Sequence, residues 1–170
     1  MRKIAHPLLW ALFALYCLVL IDVLFISRPV RPYLSYPDYF REYTNFIPFQ
    51  TIGSFVKGLW NDMQSLLAGD AMLGRGWAYY VINLGGNFVL FLPMGMTLPC
   101  LFKKLNRFWK VTLVIFGLIL LAELTQGLLR VGSIDIDDLI FNLCGGMLGY
   151  GAVKLVGLSG LLRKIGIETP

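Results

Sequence analysis

An all-α, polytopic membrane protein is the fold class this sequence predicts, on three observations. Of its 170 residues 57% are apolar, and the mean hydropathy is +0.69. Only 15% are charged, too few to coat a soluble domain of this size with a wet, mixed-charge surface. Four apolar stretches are each long enough to cross a hydrocarbon core, which takes about 20 helical residues. These figures exclude a soluble globular domain, a disordered chain and a coiled coil.

The first span covers residues 8–26, with Asp22 its only charge. Met1-Arg2-Lys3 would suit a signal peptide, but no small-x-small site closes the run, so a retained helix is expected. The second span, 77–102, carries Asn83 and Asn87. The third, 108–129, carries Glu123 and Gln126. The fourth, 138–158, starts at Asp138 and carries Asn142. Pro93 and Pro99 should kink the second span. Gly145 and Gly149 have a GxxxG spacing that predicts close packing of the fourth span on the second, with Asn87 and Asn142 near each other.

Orientation follows from the basic residues. With the N-terminus inside, Arg2, Lys3, Lys103, Lys104, Arg107, Lys110, Lys154, Arg163 and Lys164 gather on the inner side, and Glu168 is the one acid that joins them. Both termini are then cytoplasmic. The net charge of +5 is a membrane-orientation signal, and no nucleic-acid partner is expected.

The external segment is 28–76. Its Pro29 and Pro32 predict an extended or turned start. Tyr33, Tyr36, Tyr39, Phe40 and Tyr43 suit the headgroup level. Phe49, Ile52, Phe55, Val56, Leu59, Trp60, Met63, Leu66 and Leu67 recur at spacings of three and four, forming one face of an amphipathic helix over 49–67. Gly69 is its expected terminator. Such a helix either lies in the outer interface or packs over the bundle as a lid, and it also serves merely to order a long loop.

Polar groups from all four spans reach one outer layer. Asn83 and Asn87 are i,i+4. Glu123, Gln126 and Arg130 share a face, and Asn142 lies one turn below Asp138. Asp135, Asp137 and Asp138 stand at the mouth, where the connector is expected to turn and Asp137 or Asp138 to cap the fourth helix. Polar side chains facing lipid are costly, so these should meet inside. The amides also suit plain helix–helix adhesion. A functional reading makes Glu123, Asp135, Asp137 and Asp138 the acid/base candidates and Asn87, Gln126, Arg130 and Asn142 the ligand-binding ones. Arg130 would pair with Glu123 or the aspartates, or hold an anionic headgroup. Oxygen-rich ligands would suit Mg²⁺ or Ca²⁺, although no spacing defines a metal site. No organic cofactor is expected. His6 is the only histidine, at the inner edge, which excludes a His-based triad or zinc hydrolase in the outer layer. No CxxC, Walker or Rossmann loop occurs.

The blocks Asn45-Phe46-Ile47-Pro48-Phe49, Asn83-Leu84-Gly85-Gly86-Asn87, Glu123-Leu124-Thr125-Gln126 and Asp135-Ile136-Asp137-Asp138 through Asn142 to Gly146 occur in this order. In that order the chain resembles the VanZ-like family of bacterial membrane proteins, over nearly its whole length. The family pattern often places Gly-Arg just ahead of the first Asp of the last block; here Gly132-Ser133-Ile134 stands there. The resemblance implies a multi-pass protein of the bacterial cytoplasmic membrane. The family is named for a protein associated with resistance to teicoplanin-type glycopeptide antibiotics. The expected partner is an anionic membrane lipid or a lipid-linked cell-wall intermediate. The alternatives are a non-enzymatic scaffold or binding module, a small transporter that would need a dimer for a pore, and shielding of the cell by the external loop.

Overall fold

The apolar runs form helices because a chain removed from water satisfies its backbone most simply within its own segment. The structure, a computed structural model, describes residues 2–68, 76–155 and 160, without the side chains at 2–5, 76–80, 83 and 155. Helix α1 (Arg2–Ile21) ends in a π-helical turn over Asp22–Ile26. Then follow α2 (Tyr36–Glu42), strand β1 (Thr44–Asn45), α3 (Gln50–Leu67) and α4 (Gly76–Leu101). A 3₁₀ turn (Lys103–Leu105) leads to α5 (Phe108–Leu129), strand β2 (Ile134–Asp135) and α6 (Ile136–Leu155).

Among the described residues three segments are long and apolar enough to cross a membrane: His6–Ile26, Leu84–Leu101 and Phe108–Leu129. The expected fourth span falls on α6, which is not among them. Asp138, Asn142 and Lys154 lower its hydropathy, and residues 156–158 lie outside the described ones. Gly69, the expected terminator of α3, lies outside them too. Helix α4 runs through Pro93 and Pro99 without interruption, and the Thr97 hydroxyl donates to the Pro93 carbonyl at 2.7 Å.

The closest helix pair is α4 with α6, and glycine makes it so. A Cβ on Gly145 would stand 1.8 Å from the Phe88 carbonyl oxygen, and one on Gly149 would stand 2.1 Å from that of Leu92. From the other side, a Cβ on Gly95 would meet the Gly146 oxygen at 1.8 Å. The GxxxG face therefore lies on α4, as its spacing predicts. Helix α5 closes the far side, with Ile115 against Gly146. Phe91, Met94, Leu98, Val111, Ile115, Ile119 and Tyr150 form the core, joined by Leu20 and Leu24 from the first span. Helix α1 is pinned to α4 by the Tyr16 hydroxyl, which donates to the Leu90 carbonyl at 2.8 Å. Leu12, Leu15 and Leu18 of α1, like Leu113, Leu121 and Leu124 of α5, point outward and are exposed. That is the surface a membrane would cover.

The connectors contain more order than their sequences announce. The segment before α6 is not a plain turn. Strand β2 pairs in parallel with β1, Thr44 opposite Ile134 and Asn45 opposite Asp135, and Val30 bridges to Val131. Helix α2 is likewise additional. Ser35 caps it by accepting the Asp38 N–H, and Pro37 sits in its first turn. Tyr39 departs from the headgroup expectation, because it is fully buried beneath the connector. Its hydroxyl faces the Val131 and Gly132 carbonyls at 3.3 and 3.4 Å. Burial pushes its phenol above the ordinary range, so it stays a neutral donor. Tyr33, Tyr36 and Phe40 remain exposed.

Candidate functional site

The polar residues expected in one layer do gather at one end of the bundle, where α1 and α5 end and α6 begins. Asn87, Glu123, Gln126, Asp137 and Asn142 are all buried. A buried polar atom without a partner costs about 1–3 kcal/mol, so each one's bonds indicate its role.

Several members are committed to backbone. Gln126 donates from Nε2 to the Leu24 carbonyl at 2.8 Å, holding the π-helical turn against α5. A π turn leaves its carbonyls out of the regular ladder, and an amide side chain is well suited to take one. Asp137 accepts the Phe49 N–H on Oδ1 at 2.5 Å and the Thr51 N–H on Oδ2 at 2.8 Å. It therefore caps α3, not the helix on which it sits. The cap of α6 is Asp135, whose Oδ1 accepts the Asp137 N–H at 2.9 Å. This corrects the expectation that Asp137 or Asp138 would cap that helix. Asp135 also accepts Asn45 Nδ2 at 3.0 Å and the Thr51 hydroxyl at 3.1 Å.

The remaining members are less saturated. Glu123 accepts the Asp135 N–H on Oε2 at 3.3 Å, and no ion pair within 4.0 Å joins it to a cation among the described residues. Asp138 accepts Asn87 Nδ2, linking α6 to α4 one turn ahead of Asn142. Asn142 Oδ1 is buried and has no hydrogen-bond partner among the described residues. The side chain of Asn83 lies outside the described residues. Asp22 is exposed and accepts the Ser27 hydroxyl at 3.0 Å.

Arg130 does not join this group. It adopts φ +52° at the end of α5, donates from Nη1 to the Leu34 carbonyl and stacks over Tyr36 at 4.7 Å. It thereby ties the external loop to α5, instead of pairing with Glu123 or the aspartates. The cation that reaches the layer is Arg28, which sequence reasoning did not single out. Its position in a Pro-flanked loop carries no periodic signal. Arg28 is half-buried, and its Cδ packs beside Gly132, 3.3 Å from where a Cβ on that glycine would be. Its charge acts on both Glu123 and Asp138. Arg31 beside it is engaged differently, donating to the Gly132 carbonyl at 2.7 Å and lying 3.9 Å over the Tyr43 ring.

An open cavity of about 970 Å³ adjoins this layer. Its polar lining includes Arg28, Arg31, Glu42, Asn45, Asn87 and Asp135, and its apolar lining Val23, Ile82 and Leu90, whereas Glu123 and Asp138 lie behind Asp135 and Asn87, to which they are hydrogen-bonded. Gln50 and Ser54 of α3 also line it. Helix α3 leaves an apolar row uncovered. Val56, Leu59, Trp60, Met63, Leu66 and Leu67 are exposed, as are Lys57, Asn61 and Gln64, whereas Ile52, Phe55, Thr51, Ser54, Asp62 and Ser65 are half-buried. The cysteines are free: Cys17 is half-buried, Cys100 buried and Cys144 exposed. Among the described residues no group of three His, Cys, Asp or Glu side chains is arranged to hold a metal ion.

Comparison with known proteins agrees with this picture. A stretch of 73 residues is 38% identical to Protein VanZ of Enterococcus faecium. It covers 43% of this chain and 43% of that relative. No solved structure matches the chain. The VanZ/LLP1 profile matches residues 13–157, which takes in two of the three membrane-length helices whole, the first from its residue 13 onward, the connectors and all the buried polar residues among those described. The chain is a membrane protein and belongs to the VanZ/LLP1 family.

Proposed function

We propose that the chain is a four-span protein of the bacterial cytoplasmic membrane that binds or modifies an anionic lipid, or a lipid-linked cell-wall intermediate, from the outer leaflet. In this reading α6 is the fourth span, both termini are cytoplasmic and the cavity opens outward. The basic residues of the 3₁₀ turn and of Arg107 and Lys110 support that orientation. The exposed apolar row of α3, from Val56 to Leu67, supports an interfacial helix, because such a row needs lipid to cover it. The reading also places the chain with envelope proteins of teicoplanin-type resistance.

One observation carries the proposal. A cavity large enough for a lipid headgroup is lined by carboxylates, amides and guanidinium groups together with apolar side chains. Glu123 and Asp138 do not line it, but they are bonded to Asp135 and Asn87, which do, and in this reading they are the acid/base candidates. Asp135 and Asp137 hold the frame. Their saturation with backbone and side-chain donors favours the second reading for those two residues, in which part of the layer is scaffold.

Glu123→Gln separates the readings. It keeps the size of the side chain and removes the charge and the exchangeable carboxyl proton. The expected result is loss of the phenotype conferred by the wild-type chain in a glycopeptide growth assay. Lipid retained after purification should fall about tenfold, the effect of losing a charge-assisted hydrogen bond. Expression and thermal midpoint should be unchanged. A variant with wild-type phenotype and lipid content would assign Glu123 to packing and overturn the lipid reading.

A further inference from the structure

We infer that Arg28 is the phosphate anchor of this cavity, holding the phosphate of a membrane lipid whose chains leave sideways between the first span and α4. The inference rests on the lipid-binding reading above and names the group recognised and its route.

Arg28 is a half-buried guanidinium that makes no hydrogen bond among the described residues. No carboxylate lies within ion-pair distance of it among them either. A planar fork of five donors left unsatisfied beside a cavity is suited to a phosphate, which accepts two parallel hydrogen bonds from it. The other arginines of this region are already engaged at their guanidinium ends, Arg31 with the Gly132 carbonyl and Tyr43, and Arg130 with the Leu34 carbonyl and Tyr36; the buried Arg130 Nε has no partner among the described residues, but Arg130 does not line the cavity.

The Arg28 stem packs beside Gly132. That glycine has φ +65°, and a Cβ there would come within 3.3 Å of Arg28 Cδ, 3.7 Å of Nη1 and 3.8 Å of Cβ. Two acids line the cavity. Asp135 is screened from the ligand by three donors of its own, Asn45, Thr51 and the Asp137 N–H, and Glu42 is exposed, where water screens its charge. Gln50, Ser54 and Ser133 face the same cavity, and their side chains make no hydrogen bond among the described residues. They are available to a polar headgroup beyond the phosphate.

The route is read from the apolar side. Val23 and Ile82 line the cavity and are 36% and 71% exposed, so this wall is continuous with the outer surface of the bundle. In a bilayer that surface faces acyl chains. A soluble phosphate would have no use for such an opening, whereas a lipid needs it.

The test uses the full chain in phosphate-free detergent, with three probes: dioleoylphosphatidylglycerol, dioleoylglycerol and glycerol 1-phosphate. The wild type should bind the phospholipid at least about tenfold more tightly than dioleoylglycerol. Glycerol 1-phosphate should compete only weakly. Arg28→Gln should lose that tenfold preference, Arg28→Lys should recover part of it, and Arg41→Gln, at an exposed ion pair, should keep it. Equal binding of both lipids by the wild type, or an undiminished preference in R28Q, overturns the assignment. Competition by glycerol 1-phosphate at the phospholipid's own affinity overturns the sideways route. If R28Q does not fold, Gly132→Ala, which displaces the Arg28 stem, and Ile82→Trp, which narrows the opening, decide the matter in the same assay, and unchanged binding in both overturns it. Loss of lipid in E123Q but not in R28Q would leave the broader function standing without this anchor. A wild type that retains none of the lipids would remove both.

Discussion

Replacing Gly145 by alanine is expected to force the α4–α6 pair apart. Its Cβ would lie 1.8 Å from the Phe88 oxygen and 2.8 Å from the Phe88 carbonyl carbon, both backbone atoms that no rotamer change can move. Restoring an ordinary C···O contact of about 3.3 Å requires the helices to part by roughly 1.5 Å. Separation on that scale empties the contacts around Phe91 and Met94 as well as the glycine seam, because dispersion falls steeply with distance. A loss of about 3 kcal/mol is expected, the upper part of the usual overpacking range. Gly95→Ala should behave alike, since its Cβ meets the Gly146 oxygen at 1.8 Å. Gly146→Ala should cost less, because the obstacle is the end of the Ile115 side chain at 2.6 Å. Gly85→Ala and Gly117→Ala, where nothing lies within 4 Å, should be neutral or stabilising by up to about 1 kcal/mol. Thermal midpoints of the detergent-solubilised variants give this order directly. Equal midpoints for G145A and G85A would show that the seam is looser than described.

The same seam shows why much of the fold was legible. Helix α5 begins and ends at the residues where its hydropathy does, and α4 and α3 match their predicted spans within a residue or so. Long apolar runs and a sustained helical period are strong local signals, and GxxxG names a face. The polar layer was legible for a related reason. Buried amides and carboxylates in apolar helices are rare and must find one another. The connectors were not legible. A two-residue strand pair has no period, and Tyr39 has the same local surroundings as the exposed Tyr36 and Phe40. Its burial depends on Val131 and Gly132, more than ninety positions away in sequence. The cation was misassigned for the same reason. Arg130 lies seven residues beyond Glu123 on the helical register, but its φ of +52° ends the helix and turns it toward the loop. Arg28 comes from the loop after the first span and packs beside Gly132. The parallel pairing of β1 and β2, the Val30–Val131 bridge and the backbone bonds from Gly132 to Pro29 and from Arg31 to Arg130 bring that loop alongside.

Asp137→Ala should release the start of α3 from the bundle. Phe49, which precedes that helix, has φ +65° and contributes no side-chain cap. A left-handed phenylalanine costs about 1–2 kcal/mol and persists only when its surroundings hold it there. The holding group is the Asp137 carboxylate, 88 residues away in sequence, which takes one N–H on each oxygen. Its negative charge also lies against the positive end of the α3 dipole. Alanine removes both acceptors and the charge together. An N-cap alone is worth about 1 kcal/mol, and stranding a buried N–H costs about as much again, so a local loss of roughly 2 kcal/mol is expected. Amide exchange over residues 49–54 should accelerate about thirtyfold. Exchange along α4 and α6 should change little, since their contact is made by backbone and glycine. Asp137→Asn should fall between, because one oxygen still accepts while the new NH₂ faces a second donor. Phe49→Gly, by contrast, should be tolerated, since glycine adopts this φ freely. Unchanged protection at residues 49–54 in D137A would mean that α3 is held by its apolar face alone. The effect should extend to the cavity, because Gln50, Thr51 and Ser54 line it. Phospholipid binding should therefore weaken in D137A although Arg28 is untouched. Asp137 would then govern binding as a positioning residue, through the helix it holds, without touching the ligand.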